Sequence, residues 1–299
     1  MGRQYDTVVV GGGVAGLATG IWAALRGKTV AVVERQMGSG DPFRAGWIGK
    51  SGQESLKAMG IELEGHSIPG IQSTDGESSV QADFLEGPAL GLRWNLLIEK
   101  MQSRARGLGV EVLEGVEAIS CGEDAEGISL QTSQEVLKAR HLVAADGLHS
   151  SLRNQAGIQI HPQQRRLGIQ RLVHCVPWSD RALWYWGAGV EALLVPVGKD
   201  QVCVSFFWST PEGNWDLFLN HFKDLKDHLQ HAEMGPLRGT GPLWVQPRIF
   251  QQGRLFLVGD AAGSADVWGD GALRLAGAQL LAEALCTQPE VYARQWEKL

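Results

Sequence analysis

The first 35 residues alternate apolar runs with small-residue turns. Residues 7–10, Thr-Val-Val-Val, predict a short buried strand. A glycine-rich turn follows at 11–16, and an apolar stretch at helical spacing runs over 17–26, with Gly27 placed to end it. Residues 28–34 predict a second buried strand. Two β-branched runs joined through a helix make a βαβ unit, which predicts a parallel sheet. Residues 38–90 are rich in Gly and Ser and carry only a short helical piece near 53–59. A clearer helix is predicted over 92–106, where Leu96, Leu97, Lys100, Met101 and Arg104 recur at helical spacing. A strand at 110–113, a small meander over 116–139 and a strand at 140–145 follow, the last ending at Asp146-Gly147.

From about 166 to 248 the period changes to two. Residues 182–186, 192–197 and 202–208 predict strands, with Gly198-Lys199-Asp200 as the hairpin turn between the last two, and a helix is predicted over about 215–232. The chain then returns to an apolar strand at 254–258, closed by Gly259-Asp260, and a long helix over 272–285. The fold class expected is α/β: a doubly wound domain from 1–75, 91–165 and 249–299, with an antiparallel β-sheet domain inserted from 76–90 and 166–248.

Composition narrows the function classes. The chain has 299 residues, 44% hydrophobic and 20% charged, which suits one or two globular domains and excludes disorder, collagen and coiled coil. Its 27 Lys and Arg against 33 Asp and Glu leave a net charge of −6, which argues against nucleic acid as a partner. No apolar run is long enough to predict a transmembrane segment, and the N-terminus does not read as a secretory signal. Cys121, Cys175, Cys203 and Cys286 form no C-x-x-C pair and read as reduced thiols, so the location expected is cytoplasmic.

The candidate chemistry starts at Gly11-x-Gly13-x-x-Gly16, which follows a strand and opens a helix. The first glycine permits the tight turn, the second lets backbone approach a pyrophosphate, and the third lets the helix pack on the strand. The helix N-terminus, at Val14 and Ala15, supplies N–H groups to phosphates. Glu34 ends the next strand, where a carboxylate can accept both ribose hydroxyls. An acid there favours FAD or NAD over NADP.

Two later segments separate FAD from NAD. Residues 139–157 read ARHLVAADGLHSSLRNQAG, and 253–263 read GRLFLVGDAAG. Together with the glycine turn they resemble the three fingerprints of the flavoprotein monooxygenases related to p-hydroxybenzoate hydroxylase. In that resemblance Asp146, Gly147, Ser150 and Arg153 fall in step with the Asp-Gly motif, and Gly259-Asp260 with the motif that binds the ribityl chain. It further implies FAD contacts at Arg35, at Arg44 and Ala45, at Arg93 heading its helix, and at a turn over 266–271 whose Gly269 and Gly271, followed by Ala272, face the flavin. It also implies NAD(P)H as a transient reductant, since no second glycine fingerprint in strand–helix context occurs.

The departures from that pattern are specific. Gly263 stands where many hydroxylases carry His, as in the geranylgeranyl-reductase and halogenase-like branches, and Val267 stands where Pro is usual. The segment 190–198 resembles the reductase-like branch without its aromatic signature. Relatives usually run on past the position of Trp296, so the expectation is a minimal member whose site is open or completed by a protein partner.

The activity expected is oxidation of a small apolar or aromatic substrate with NAD(P)H and O₂. A flavin-dependent reductase saturating a prenyl-type double bond, a flavoenzyme acting on a partner protein and a non-catalytic flavin-binding protein all stay open. No catalytic residue and no metal ligand is assigned. Trp184 and Trp186 share a strand face and, with Trp208, read either as core or as a wall over the flavin; Trp47 and Trp268 fall in segments expected beside it. Lys50 and His149 read more simply as surface residues.

Overall fold

The structure, a computed structural model, describes residues 4–264 and 272–296, without the side chains of 161–165, 244, 272 and 273. Among these residues the first sheet has eight strands, five of them parallel in the order Leu255–Leu257, Val136–Ala144, Gln4–Val10, Val30–Glu34, Glu111–Glu114; Gln251–Gln252 pairs antiparallel with Leu255–Leu257, and the meander Ala118–Glu123, Ile128–Thr132 joins antiparallel to Val136–Ala144. The chain leaves Gln4–Val10 toward Val30–Glu34 on one side and later returns to Val136–Ala144 on the other. That reversal opens a crevice at the carboxyl end of Gln4–Val10, where ligands of such sheets bind.

Helix Val14–Leu25 crosses this sheet and packs against helices Trp94–Gly107 and Ala272–Cys286. It does so with Ala, Gly and Leu: Leu17, Ala18, Ile21 and Ala23 have no solvent exposure. Small residues let three helices stack closely, and the buried Leu and Ile supply the apolar area that drives the packing. The C-terminal helix Tyr292–Trp296 closes this core, where the buried Tyr292 hydroxyl donates to the Leu257 carbonyl at 2.6 Å.

The second sheet runs Glu233–Met234, Ile160–His174, Gln201–Trp208, Val190–Pro196, Ala182–Trp186, Gly70–Thr74, Ser79–Asp83, with Arg238–Pro247 also paired to Ile160–His174. All its pairings are antiparallel except that of Ala182–Trp186 with Gly70–Thr74. The hairpin Gly70–Thr74/Ser79–Asp83 therefore spans residues 75 and 76, with both of its strands in this sheet. A third small sheet, Ala45–Ile48, Ala89–Arg93 and His66–Ile68, lies between the two. Alternation gives the second sheet two apolar faces. One, with Val204, Phe206 and Trp208, is covered by helices Trp215–His221 and Lys223–Leu229. The other, with Cys203, Phe207 and Trp184, meets the Ala45–Ile48 strand. The single helix expected over 215–232 is broken at Phe222, whose backbone leaves the helical region so that its ring packs beside Phe206 and Tyr185.

Among the described residues no helix is long and apolar enough to cross a membrane. One titration bears on stability. Burial pushes the His141 imidazole below its ordinary 6.5, and the charges of Arg254 and Arg140 push the same way. The unfolded chain takes up the proton first, so stability should fall as the pH drops below about 6.5 and level off once the folded imidazole is protonated too. Melting temperatures of the wild type and His141→Gln should converge between pH 7 and pH 5; parallel profiles would assign the acid sensitivity elsewhere.

Candidate functional site

The glycine turn sits at the crevice. Gly11 has φ +112°, and a Cβ there would overlap the Ala145 carbonyl; a Cβ on Gly16 would overlap the carbonyl oxygen of Gly11. Both serve packing of the turn. Gly13 differs, with an extended backbone open to any residue and nothing within 4 Å of an added Cβ. It is the N-cap of helix Val14–Leu25, and no side chain caps that helix. An uncapped N-terminus beneath open space is what a phosphate requires. Glu34 is held beside the turn, accepting from the Gly12 N–H at 2.7 Å and the Gln36 N–H at 2.8 Å. Each oxygen keeps a lone pair for a ribose hydroxyl.

The other two motifs meet on the far side. Asp146 Oδ2 accepts from the backbone N–H of Ser151 at 2.8 Å, while its Oδ1 is buried with no partner among the described residues. Arg153, 1% exposed, donates from Nη1 to the Ala261 carbonyl at 3.1 Å and from Nη2 to the Leu148 carbonyl at 2.8 Å. One buried guanidinium thus ties the Asp-Gly turn to the Gly-Asp turn 108 residues away. Burial pulls its pKa down, and the Asp146 charge works against that. Asp260 is paired with Arg274, at 2.9 Å to Nε and 3.2 Å to Nη2. The Asp260 carboxylate holds the Arg274 pKa up.

These motifs border one cleft of about 460 Å³. Of the residues expected at the cofactor, Gly13, Val14, Ala15, Arg44, Ala45, Gly147, Gly259 and Asp260 line it. Gly11 and Gly16 lie beneath the turn, Asp146 stands one residue behind the wall, and Arg35 is exposed. Arg93 is the N-cap of helix Trp94–Gly107 and does not line the cleft, whereas Trp94 does. Gly46 makes room for that indole, since a Cβ there would lie 2.8 Å from it. Ala272 begins helix Ala272–Cys286; Gly269, Gly271, Trp268 and the rest of the 266–271 turn lie outside the described residues.

Trp47 lines the cleft as expected of its segment, and Trp94, Trp296 and Arg274, which the sequence reading missed, line it too. The signal for Arg274 was a lone charge in the first turn of an apolar helix. Trp184 is buried between the sheets, stacked 5.4 Å from Trp186, and lines no part of the cleft. Trp208 lies on the opposite face of its sheet, against Phe218. Lys50 lines a neighbouring cavity of about 450 Å³ that also touches Trp47. An open hollow of about 690 Å³ beside Tyr185 and Asp224 lies on the helix-covered side; Trp186 lines it, and none of the residues expected to bind the cofactor does.

Gly263 has a physical reason to be glycine. Its φ is +121°, and a Cβ would lie 2.8 Å from the Val245 carbonyl of the second sheet, which Ser264 joins through a bridge to Val245. Among the described residues no group of His, Cys, Asp or Glu is arranged to hold a metal ion.

A parallel sheet with a glycine turn at its switch point, an acid on the next strand and a cleft closed by a second sheet define a dinucleotide-binding flavoprotein. Residues 4–270 match the FAD binding domain family, and the chain belongs to it. It is 26% identical over 283 residues to the dialkyldecalin synthase of Streptomyces rugosporus, covering 86% of this chain and 59% of that protein. It is 28% identical over 260 residues to the 6-methylpretetramide 4-monooxygenase of Streptomyces rimosus, covering 77% of this chain and 59% of that protein. The chain thus spans about three fifths of the length of these relatives. The myxobacterial chondrochloren halogenase CndH shares the fold, with a TM-score of 0.86 at 16% identity over 99% of this chain and 79% of that one. FAD is the cofactor of the family, and the uncapped helix beneath Gly13 fits its diphosphate.

Proposed function

We propose that the chain is the catalytic unit of an FAD-dependent monooxygenase acting on a small apolar or aromatic substrate with NAD(P)H and O₂. In this reading the first sheet carries the cofactor and the second sheet faces the substrate. The N–H groups at Gly13–Ala15 hold the diphosphate, Glu34 the ribose, and Asp260 the ribityl chain. Bound FAD supplies the redox chemistry, passing two electrons from NAD(P)H to O₂ so that one oxygen atom enters the substrate and the other leaves as water.

The observation that carries the reading is the single cleft that has the cofactor turns on one side and Leu193, Val195 and Phe207 on the other. That wall excludes water from the reacting centre, which strengthens every polar contact within it. The described lining contains no His, Glu or Lys, and its one carboxylate, Asp260, is tied to Arg274. The described lining therefore positions and shields, and none of its side chains is set to act as a general base near neutral pH.

The test is the visible spectrum of the purified protein under argon, before and after NADH or NADPH, followed by admission of labelled O₂. The expected results are a yellow protein, bleaching by one nicotinamide in the presence of substrate, and label in the product. Reduced product formed under argon would favour the double-bond reductase. A colourless protein that cannot be loaded with FAD would overturn the reading.

A further inference from the structure

Among the described residues, the wall that the second sheet gives to the cleft is uncharged. Gln170 stands directly opposite Ser205, and Ser205 opposite Leu193, so these three side chains share one face and one row. Cys203 and Phe207 flank Ser205 on the same strand face. Burial pushes the Cys203 thiol up to about 11, so it stays protonated at neutral pH.

The ionised groups among the described lining residues are Arg44, Asp260 and Arg274, all on the dinucleotide side. Each is already engaged: Asp260 and Arg274 with one another, Arg44 with the Gly239 carbonyl at 2.9 Å and with Asp41 at 3.9 Å. Asp41 in turn is bound by Arg238. The ion pair Arg166–Glu191 is bidentate at 3.0 and 2.9 Å, with the guanidinium over the Phe207 ring. Among the described lining residues no counter-charge is free for a carboxylate or ammonium group laid against Gln170 and Ser205, so such a group would be desolvated at a net cost.

Neutral hydrogen-bonding capacity is present instead. Gln170 Nε2 sits 3.4 Å from Cys203 Sγ, a weak acceptor that a ligand oxygen would improve upon. Ser264 lines the cleft at 9% exposure, and its hydroxyl has no partner among the described residues. Orphaned buried hydroxyls are uncommon and call for a ligand or water.

We infer that the cleft selects an uncharged, flat apolar molecule carrying one neutral hydroxyl or carbonyl, and that Gln170 and Ser205 are the residues that select it. The inference rests on the reading of this cleft as the flavin and substrate site.

The experiment titrates the FAD-loaded protein at pH 7 with naphthalene, 2-naphthol, 2-naphthoate and 2-naphthylmethylammonium, following the flavin absorption band. The expected result is that 2-naphthol binds at least about tenfold tighter than the other three. Gln170→Leu combined with Ser205→Ala should abolish the preference for 2-naphthol over naphthalene. Gln170→Arg should shift the preference to 2-naphthoate. Binding of either ion by the wild type as tightly as 2-naphthol, or no response to any of the four, would overturn the inference with the flavin reading intact. A protein that takes up no FAD would overturn both.

Discussion

Gly16→Ala should yield a protein that melts about 10 °C lower and purifies without FAD. The added methyl group has no rotamer with which to escape, because it meets the carbonyl oxygen of Gly11 and, at 3.2 Å, Cβ of Ala145. Relief requires helix Val14–Leu25 to move off the strand, and that helix carries Leu17 and Ile21, both fully buried. Overpacking against backbone of this kind costs about 3 kcal/mol, which corresponds to roughly 6–12 °C in a chain of this size. Gly13→Ala is the informative partner. Its backbone is extended and its Cβ would meet nothing, so the apoprotein should melt within about 0.5 kcal/mol of the wild type. Its FAD affinity should nonetheless fall about tenfold or more, because the methyl group occupies the space over the uncapped helix end. Calorimetry of the apoproteins and fluorescence titration with FAD measure the two effects separately. A Gly13→Ala protein that binds FAD like the wild type would place the diphosphate elsewhere.

The two glycines also mark what could be read along the chain. The strand–turn–helix–strand opening and Glu34 were legible because every contact involved is local or one helix away. The strand Ala182–Trp186 was legible in both its ends, since its period-2 run is apolar. The 15-residue strand Ile160–His174 was not, because it carries Arg166 and Arg171 in a half-buried element. Those charges are tolerated through distant partners: Glu191 for the first, the Gly235 carbonyl and the Trp215 ring for the second. The face of Trp208 was left open for a related reason, and the structure places the ring in the core. Alternation says that Trp184 and Trp186 share a face, but only the register Ser205↔Leu193↔Trp184 shows that Trp208 is on the other one. Sequence fingerprints brought eight of the expected residues to the cleft wall. They could not show that Trp94 lines the cleft beside Arg93, or that Asp260 arrives already paired with Arg274.

Arg153 makes the same point with a larger consequence. It falls within a fingerprint, yet its work is done at a distance. Arg153→Met keeps the length and the burial of the side chain and removes both donors. The carbonyls of Ala261 and Leu148 then lose the partners seen at 3.1 and 2.8 Å. Each buried acceptor left unpaired costs about 1–3 kcal/mol, so the variant should lose about 3 kcal/mol of stability. Removal of a buried guanidinium returns part of its own desolvation cost, which keeps the expectation at that level rather than above it. The effect on the cofactor should exceed the effect on folding. The strands leading to the two turns that face the cleft, at Gly147 and Gly259-Asp260, pair through Val258 N–H to the Ala144 carbonyl, and Arg153 is the side chain that bridges the turns beyond that bond; a shift of about 1 Å is enough to spoil a site that relies on positioning. Arg153→Met should therefore fold below its lowered melting temperature and still fail to retain FAD through gel filtration. Arg153→Lys can reach one carbonyl but not both, and should fall between the two. If the Met variant kept both its FAD and its melting temperature, the turns would be held by their own backbone, and the buried charge would serve folding rather than the cofactor.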